Sequence, residues 1–225
     1  MKDRVEIINL ANRPDRRAAT EQELRRIGWT GSFYLAEKPT DPGKFESVGA
    51  RGCFESHLAV LQRNLTTERL ILLEDDVNFI KDFRTHWSNL ANQLDQIEWS
   101  ICYGGHKMQC TSNGLVHIDA DVPVTTAHFV IFNGKTIHTI VDALARIYSR
   151  EAGDPNGGPM HVDGAYSTIR AQNRELITYA YCPTLGYQRS SRTDIGKNQW
   201  FDRTEFLRPI VDFARHIKSA LARRN

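Results

Sequence analysis

Hydrophobic and polar positions along the chain follow two periods, and the changes between them mark out the elements. Residues 5–10 read as a first strand, and Arg13-Pro-Asp-Arg-Arg17 opens a helix running to about residue 27, with Gly28 as its stop. Residues 32–36 predict a second strand, followed by a loop rich in Pro39, Asp41, Pro42 and Gly43, and residues 49–64 a helix. Residues 70–73, after Arg69, are apolar without interruption, which suits a short strand covered on both faces. A helix over residues 79–94 and a buried strand over 99–103, ended by Gly104-Gly105, complete an order β-α-β-α-β-α-β. That order predicts a mostly parallel sheet flanked by helices.

The second half reads as mixed. Residues 116–118 and 122–132 predict further strands forming an antiparallel pair, 135–148 and 162–171 helices, and 176–181 a strand. Residues 151–159 carry too much glycine and proline for a regular element, so they form a loop, either a lid or a surface linker. Residues 188–197 read as a polar, basic loop, and the chain is helical from 201 onward. There Phe206, Ile210, Phe213, Ile217 and Leu221 recur at spacings of three or four, with Arg208, Arg215, Lys218, Arg223 and Arg224 between or after them. Such a segment packs on its own domain or lies peripherally on an anionic membrane; packing is the favoured reading.

At 225 residues, 40% hydrophobic and 25% charged, the chain is an ordinary soluble globular one, and a single domain is expected. Its net charge of +2 hides 29 basic against 27 acidic residues, which gives no argument for nucleic acid as a partner. The four cysteines, Cys53, Cys102, Cys110 and Cys182, lack the spacing of a zinc knuckle or redox pair, and reduced thiols in a cytoplasmic protein are expected. No stretch is apolar enough for a signal peptide or membrane span.

The chemistry concentrates where the greasy strand ends in Glu74, Asp75 and Asp76. In open α/β sheets ligands bind at the carboxyl ends of the strands, so these acids border a crevice. Three adjacent carboxylates repel one another and lose solvation, a cost that a divalent cation offsets, and oxygen ligation suits magnesium or manganese. Glu74 and Asp76, two apart, project from one side of an extended segment. The competing reading makes Asp76 the cap of a helix beginning near Phe79.

Ile8-Asn-Leu10 with Arg13-Pro-Asp-Arg16, then Gly49-Ala-Arg-Gly-Cys-Phe-Glu-Ser-His57, then Leu72-Leu-Glu-Asp-Asp-Val77 resemble, in order and spacing, the signature blocks of glycosyltransferase family 25. That family includes bacterial lipopolysaccharide and lipooligosaccharide galactosyltransferases and relatives of the collagen galactosyltransferases. His161-Val-Asp-Gly164 and Cys182-Pro-Thr-Leu-Gly-Tyr-Gln188, through Ser191-Arg-Thr-Asp-Ile195, extend the resemblance over nearly the whole chain. The chain departs from the pattern at Thr126-Ala-His-Phe129 and at Ala36-Glu37.

The resemblance implies a GT-A-like (Rossmann-like) α/β domain, a UDP-sugar donor, a divalent metal (manganese, or magnesium) and transfer with inversion. It divides the chain into a nucleotide-sugar-binding half (about 1–105), an acceptor half (about 106–200) and a C-terminal helix (about 201–225). A hexose, first of all galactose from UDP-galactose, with UDP-glucose and other hexose donors open, would pass to a saccharide acceptor, lipid-linked or not, in surface-glycan biosynthesis. With it, Glu74 and Asp76 are expected to hold the metal and Asp75 to reach the donor. Asn9, Arg13 and Arg16 are expected at the nucleotide, where guanidinium groups pair with phosphate or stack on a base. Ser56 and His57 either contact the donor or are buried and hydrogen-bonded, with Cys53 a small core residue. Gln188 and Arg189 belong to a polar loop that closes over the diphosphate, grips a phosphorylated or acidic acceptor, or is simply solvated. Asp163 is the expected base, with Asp194 and Asp154 in reserve, and His128 and His161 are further candidate metal ligands. Two other classes stand beside this one: a non-catalytic relative that binds sugar nucleotides or glycans, and a magnesium-binding receiver-type signalling domain.

Overall fold

The computed structural model describes residues 3–189. Asp194, most of the basic loop and the C-terminal amphipathic segment lie outside the described residues. The chain begins β1 (Asp3–Leu10), α1 (Pro14–Ile27), β2 (Ser32–Ala36), α2 (Val48–Gln62), β3 (Arg69–Glu74), β4 (Val77–Phe79) and α3 (Phe83–Leu94). It continues β5 (Ile101–Tyr103), β6 (Gly114–Ile118), β7 (Phe129–Asn133), α4 (Gly134–Ser149), α5 (Val162–Gln172), β8 (Thr178–Cys182) and β9 (Gly186–Gln188). α1 starts on Pro14, whose missing N–H costs nothing in a first turn, and stops on Gly28 at φ 74°, a left-handed conformation that glycine adopts without strain.

Seven strands form one mixed sheet in the order β2-β1-β3-β7-β5-β8-β6, and β4 and β9 make a small antiparallel ribbon. The β1–β2, β1–β3 and β5–β8 pairs are parallel, whereas β7 runs against both β3 and β5, and β6 against β8. The apolar run of β3 explains the layering. Leu70 and Leu72 enter the core that also holds Phe54, Ile137 and Tyr166, from α2, α4 and α5. Ile71 and Leu73 enter a second core with Leu24, Ile27, Phe83 and Leu90, from α1 and α3. All four are fully buried, as expected of a central strand covered on both faces.

Four expectations change. Residues 122–132 are not one strand; only Phe129–Asn133 pairs, and it sits mid-sheet between β3 and β5 instead of beside β6. Pro123 lies in the stretch that stays irregular, where a missing N–H cannot serve a ladder. The helix expected from residue 79 starts at Phe83, because Val77–Phe79 is drawn off as β4. Asp82, not Asp76, therefore occupies the N-cap position of α3, which removes the capping account of Asp76. Finally, Cys110 and Cys182 form a disulfide, and only Cys53 and Cys102 are free thiols. Among the described residues, no helix is long and apolar enough to cross a membrane.

Candidate active site

β1, β2 and β3 run parallel, and their carboxyl ends open on a cavity of about 130 Å³. One part of its wall is apolar, from Ile8, Leu10, Ala36, Pro39 and Val48; the other is polar, from Arg16, Lys38, Ser56, Gln188 and the three acids. The first turn of α2 contributes Val48 and Gly49, so the positive end of that helix dipole faces the space.

The end of β3 and the turn after it set the acids apart. Asp75 is buried and turned toward α1, where it accepts hydrogen bonds from Asn9 Nδ2 at 2.7 Å and Arg16 NH1 at 3.0 Å. Its backbone carbonyl accepts from Thr20 Oγ1 at 2.7 Å and Arg189 NH2 at 2.8 Å. Burial pushes its carboxyl above the ordinary range, although Arg16 and Asn9 work against that shift. Asp75 thus fastens the turn that carries its neighbours.

Glu74, on the opposite side, places Oε1 3.3 Å from His57 Nε2 and 3.8 Å from Cys53 Sγ. His57 is fully buried, and its Nδ1 lies 3.0 Å from the Tyr166 hydroxyl. Burial opposes the charge on Glu74, but the hydrogen bond and charge of His57, with His128 and Arg16, outweigh it and hold the carboxyl below its usual pKa. Asp76 has no such support, and its Oδ1 is buried without a hydrogen-bond partner among the described residues. Burial first, then the charges of Glu74 and Asp75, raise its pKa from 3.8 to about 7, against the pull of Arg16 and Arg189.

A stranded carboxylate oxygen beside a second, ionised carboxylate fits a hard divalent cation, which would supply the missing coordination and displace the proton from Asp76. Oxygen from Asp76 and Glu74 is the donor chemistry that magnesium or manganese takes. Cys53, His57 and Glu74 also bring three donor atoms within 4.8 Å of one another, but the imidazole there is already committed to Glu74 and Tyr166.

The other candidates divide. Arg16, Ser56 and Gln188 line the cavity with Glu74, Asp75 and Asp76. Asn9 is buried behind them on Asp75. Arg189 reaches the same turn, its backbone N–H bonded to the Asp76 carbonyl at 2.6 Å and its guanidinium to the Asp75 carbonyl. Arg13 pairs with Asp15 at 2.9 Å, which lowers the Asp15 pKa to about 2. His57 acts behind the cavity as the support of Glu74.

Asp163 sits in the first turn of α5, its Oδ1 accepting from Gly164 N–H at 2.9 Å, with His161 at the N-cap position. It lies close enough to Cys53 for its charge to help raise that thiol's pKa. Asp154 is occupied in its own loop by the Asn156 N–H, and His161 is exposed and faces Glu46 at 3.5 Å. His128 is buried, with Nε2 3.1 Å from the Gly186 carbonyl. Sequence reasoning missed Lys38, a cation in the cavity wall, whose only signal was its place just after the second strand. It also missed Thr20 and Tyr166, which act through groups distant in the chain.

No known family model matches the chain. A protein named as a glycosyltransferase 25 family member, from Drosophila pseudoobscura pseudoobscura, is 27% identical over 129 residues. The match takes in 47% of this chain and 21% of that protein, so the chain spans about a fifth of the relative's length. The crystal structure of a glycosyltransferase involved in the glycosylation of the major capsid of PBCV-1 superposes with a TM-score of 0.53 at 11% identity, over 85% of this chain and 96% of that one. The α/β fold is therefore shared with a glycosyltransferase. The apo-form glycosyltransferase GlyE of Streptococcus pneumoniae TIGR4 reaches a TM-score of 0.43 over 80% of this chain and 45% of its own, too low to bear on the matter.

Within the shared fold, the ribbon adds to the placement of the acids. β9 pairs with β4 directly after Asp76, Val77 opposite Gln188, and so carries Gln188 into the cavity wall. Gly105 allows the close approach of His128, because a Cβ there would collide with the imidazole ring.

Proposed function

We propose that this chain is a metal-dependent, inverting glycosyltransferase that moves a hexose, galactose from UDP-galactose, to a saccharide acceptor of a surface glycan such as lipopolysaccharide or lipooligosaccharide. The observation that carries the reading is the stranded Asp76 oxygen beside ionised Glu74, at the strand ends where an apolar wall meets a polar one. Partial similarity to a family 25 protein and the shared fold support the same class.

In this reading Asp76 and Glu74 hold manganese or magnesium, and Asp75, locked by Asn9 and Arg16, keeps the turn in place while the charge at the site changes. When bound, the cation neutralises charge on the departing diphosphate. Ile8, Leu10, Ala36 and Val48 offer the apolar surface for the nucleoside, while Lys38, Arg16 and the first turn of α2 set positive charge where phosphate would lie. Asp163 takes the proton from the acceptor hydroxyl as that oxygen bonds to the anomeric carbon and the bond to the diphosphate breaks on the opposite face. The chain works in the cytoplasm, with acceptors presented at the membrane surface.

The test is release of UDP from UDP-galactose and UDP-glucose, with manganese or with chelator, with and without saccharide acceptors. Metal-dependent release that falls at least a hundredfold in Asp76→Ala supports the proposal. Equal release by the variant, or none from either donor with any acceptor, refutes it.

A further inference from the structure

Away from the cavity, residues 104–113 lead from β5 to β6 and carry His106 and Cys110. β6 pairs with β8 so that Gly114 lies opposite Cys182, which brings Cys110 against a cysteine 72 residues away, their Cα atoms 5.6 Å apart. His106 stands beside them, with a ring nitrogen and both sulfurs all within 4.8 Å of one another. The imidazole is only 5% exposed, and its Nε2 lies 2.9 Å from the Tyr181 carbonyl oxygen. A carbonyl can only accept, so Nε2 carries the hydrogen and Nδ1 keeps its lone pair. That Nδ1 is buried and has no hydrogen-bond partner among the described residues. A buried acceptor left unmet is costly, and a neutral imidazole whose second nitrogen is fixed by a backbone carbonyl is the form in which histidine ligates metal.

We propose that His106, Cys110 and Cys182 form a zinc site when the disulfide is reduced. A dithiol reductant supplies two electrons and two protons, breaking the bond between the sulfurs and leaving two thiols and the reductant's own cyclic disulfide. Zinc then takes both sulfurs as thiolates, releasing two protons, with His106 as third ligand and water as fourth. Zinc–sulfur bonds of about 2.3 Å in tetrahedral geometry set the sulfurs about 3.8 Å apart, a separation that side-chain rotation supplies at this Cα spacing. Cys110 is exposed and gives the ion its way in, while His106 and Cys182 are buried, Cys182 held by strand pairing and His106 by the Tyr181 carbonyl. Disulfide and zinc exclude each other, so the site is filled only in a reducing environment. Cys182 also begins the segment that ends on Gln188 and Arg189, and Leu185 N–H is bonded to the Gly104 carbonyl, so both forms brace that segment.

The test is titration of the full chain with cobalt(II), as a spectroscopic stand-in for zinc, after reduction and removal of the reductant under anaerobic conditions. The reduced protein is expected to show a near-ultraviolet thiolate-to-cobalt band and visible bands of tetrahedral intensity, saturating at one ion per chain and bleached by zinc. The oxidised protein and Cys110→Ser should lack the thiolate band, His106→Gln should weaken cobalt binding at least tenfold, and Cys53→Ser should leave the band intact. Cys110→Ser removes the disulfide as well as a ligand, so far-ultraviolet circular dichroism checks that the variant is folded. As a second measurement, zinc should protect Cys110 and Cys182 from iodoacetamide in peptide mapping. Absence of the band in reduced wild type, its persistence in Cys110→Ser, or its loss in Cys53→Ser overturns the proposal.

Discussion

Removing the charge of Asp76 should stabilise the metal-free protein while abolishing its response to metal. The carboxyl is raised from 3.8 to about 7, so the folded state holds its proton more tightly than the unfolded chain does. Stability therefore falls as pH rises from about 4 to about 7 and stays low above that, since the folded state binds more protons across the window. Three units correspond to about 4 kcal/mol at about 1.4 kcal/mol each; because Glu74 carries part of the shared charge, about 2 kcal/mol is expected. Asp76→Asn is uncharged at every pH and nearly isosteric. In chelator, its stability relative to wild type should rise by about 2 kcal/mol between pH 4.5 and pH 8, a shift of about 4–8 °C in melting temperature for a chain of this size. Comparing the two pH values cancels any constant effect of the amide. Manganese should raise the melting temperature of wild type at pH 8 and leave the variant unmoved. Urea and thermal melts across the pH range supply the numbers. A gap that does not change with pH, or a variant that still responds to manganese, would refute the reasoning.

Other outcomes follow from the same geometry. Manganese affinity, measured calorimetrically, should fall about tenfold per pH unit below about 7, because the proton on Asp76 must leave before the ion enters. Arg16→Met should cost about 3–5 kcal/mol in urea denaturation by leaving Asp75 charged, buried and short of a partner, and the double variant Arg16→Met/Asp75→Asn should recover at least half of that. His57→Phe strands the Tyr166 hydroxyl and one oxygen of Glu74, and should destabilise the chain by about 2–4 kcal/mol in the same assay. Asp163→Asn should lower turnover about a hundredfold to ten-thousandfold while leaving UDP affinity within about twofold, as measured by steady-state kinetics and calorimetry.

The first half of the chain was legible because its signals are local. A short continuous apolar run suits a doubly covered strand, and Pro14 and Gly28 bracket a helix by backbone chemistry alone. The errors have a common source in long-range pairing. β4 exists because β9, over a hundred residues later, supplies its partner, and Asp76 is relieved of any capping role by that pairing. β7 is placed between β3 and β5 by the sheet, not by its own residues. Cys110 meets Cys182 only through the register of β6 on β8, which no count of cysteine spacings conveys. At the site the same limit applies: Arg13 and Arg16 look alike in the sequence, and the fold sets Arg16 on Asp75 and pairs Arg13 with Asp15.

A cation at Asp76 and Glu74 that faces a diphosphate is tested most directly by binding of UDP. Calorimetric titration of wild type with UDP should show a site whose affinity falls at least tenfold when manganese is replaced by chelator, and Asp76→Ala should bind UDP no better with manganese than without. UDP affinity that is equal in manganese and chelator, or metal-dependent binding that survives in Asp76→Ala, would contradict it.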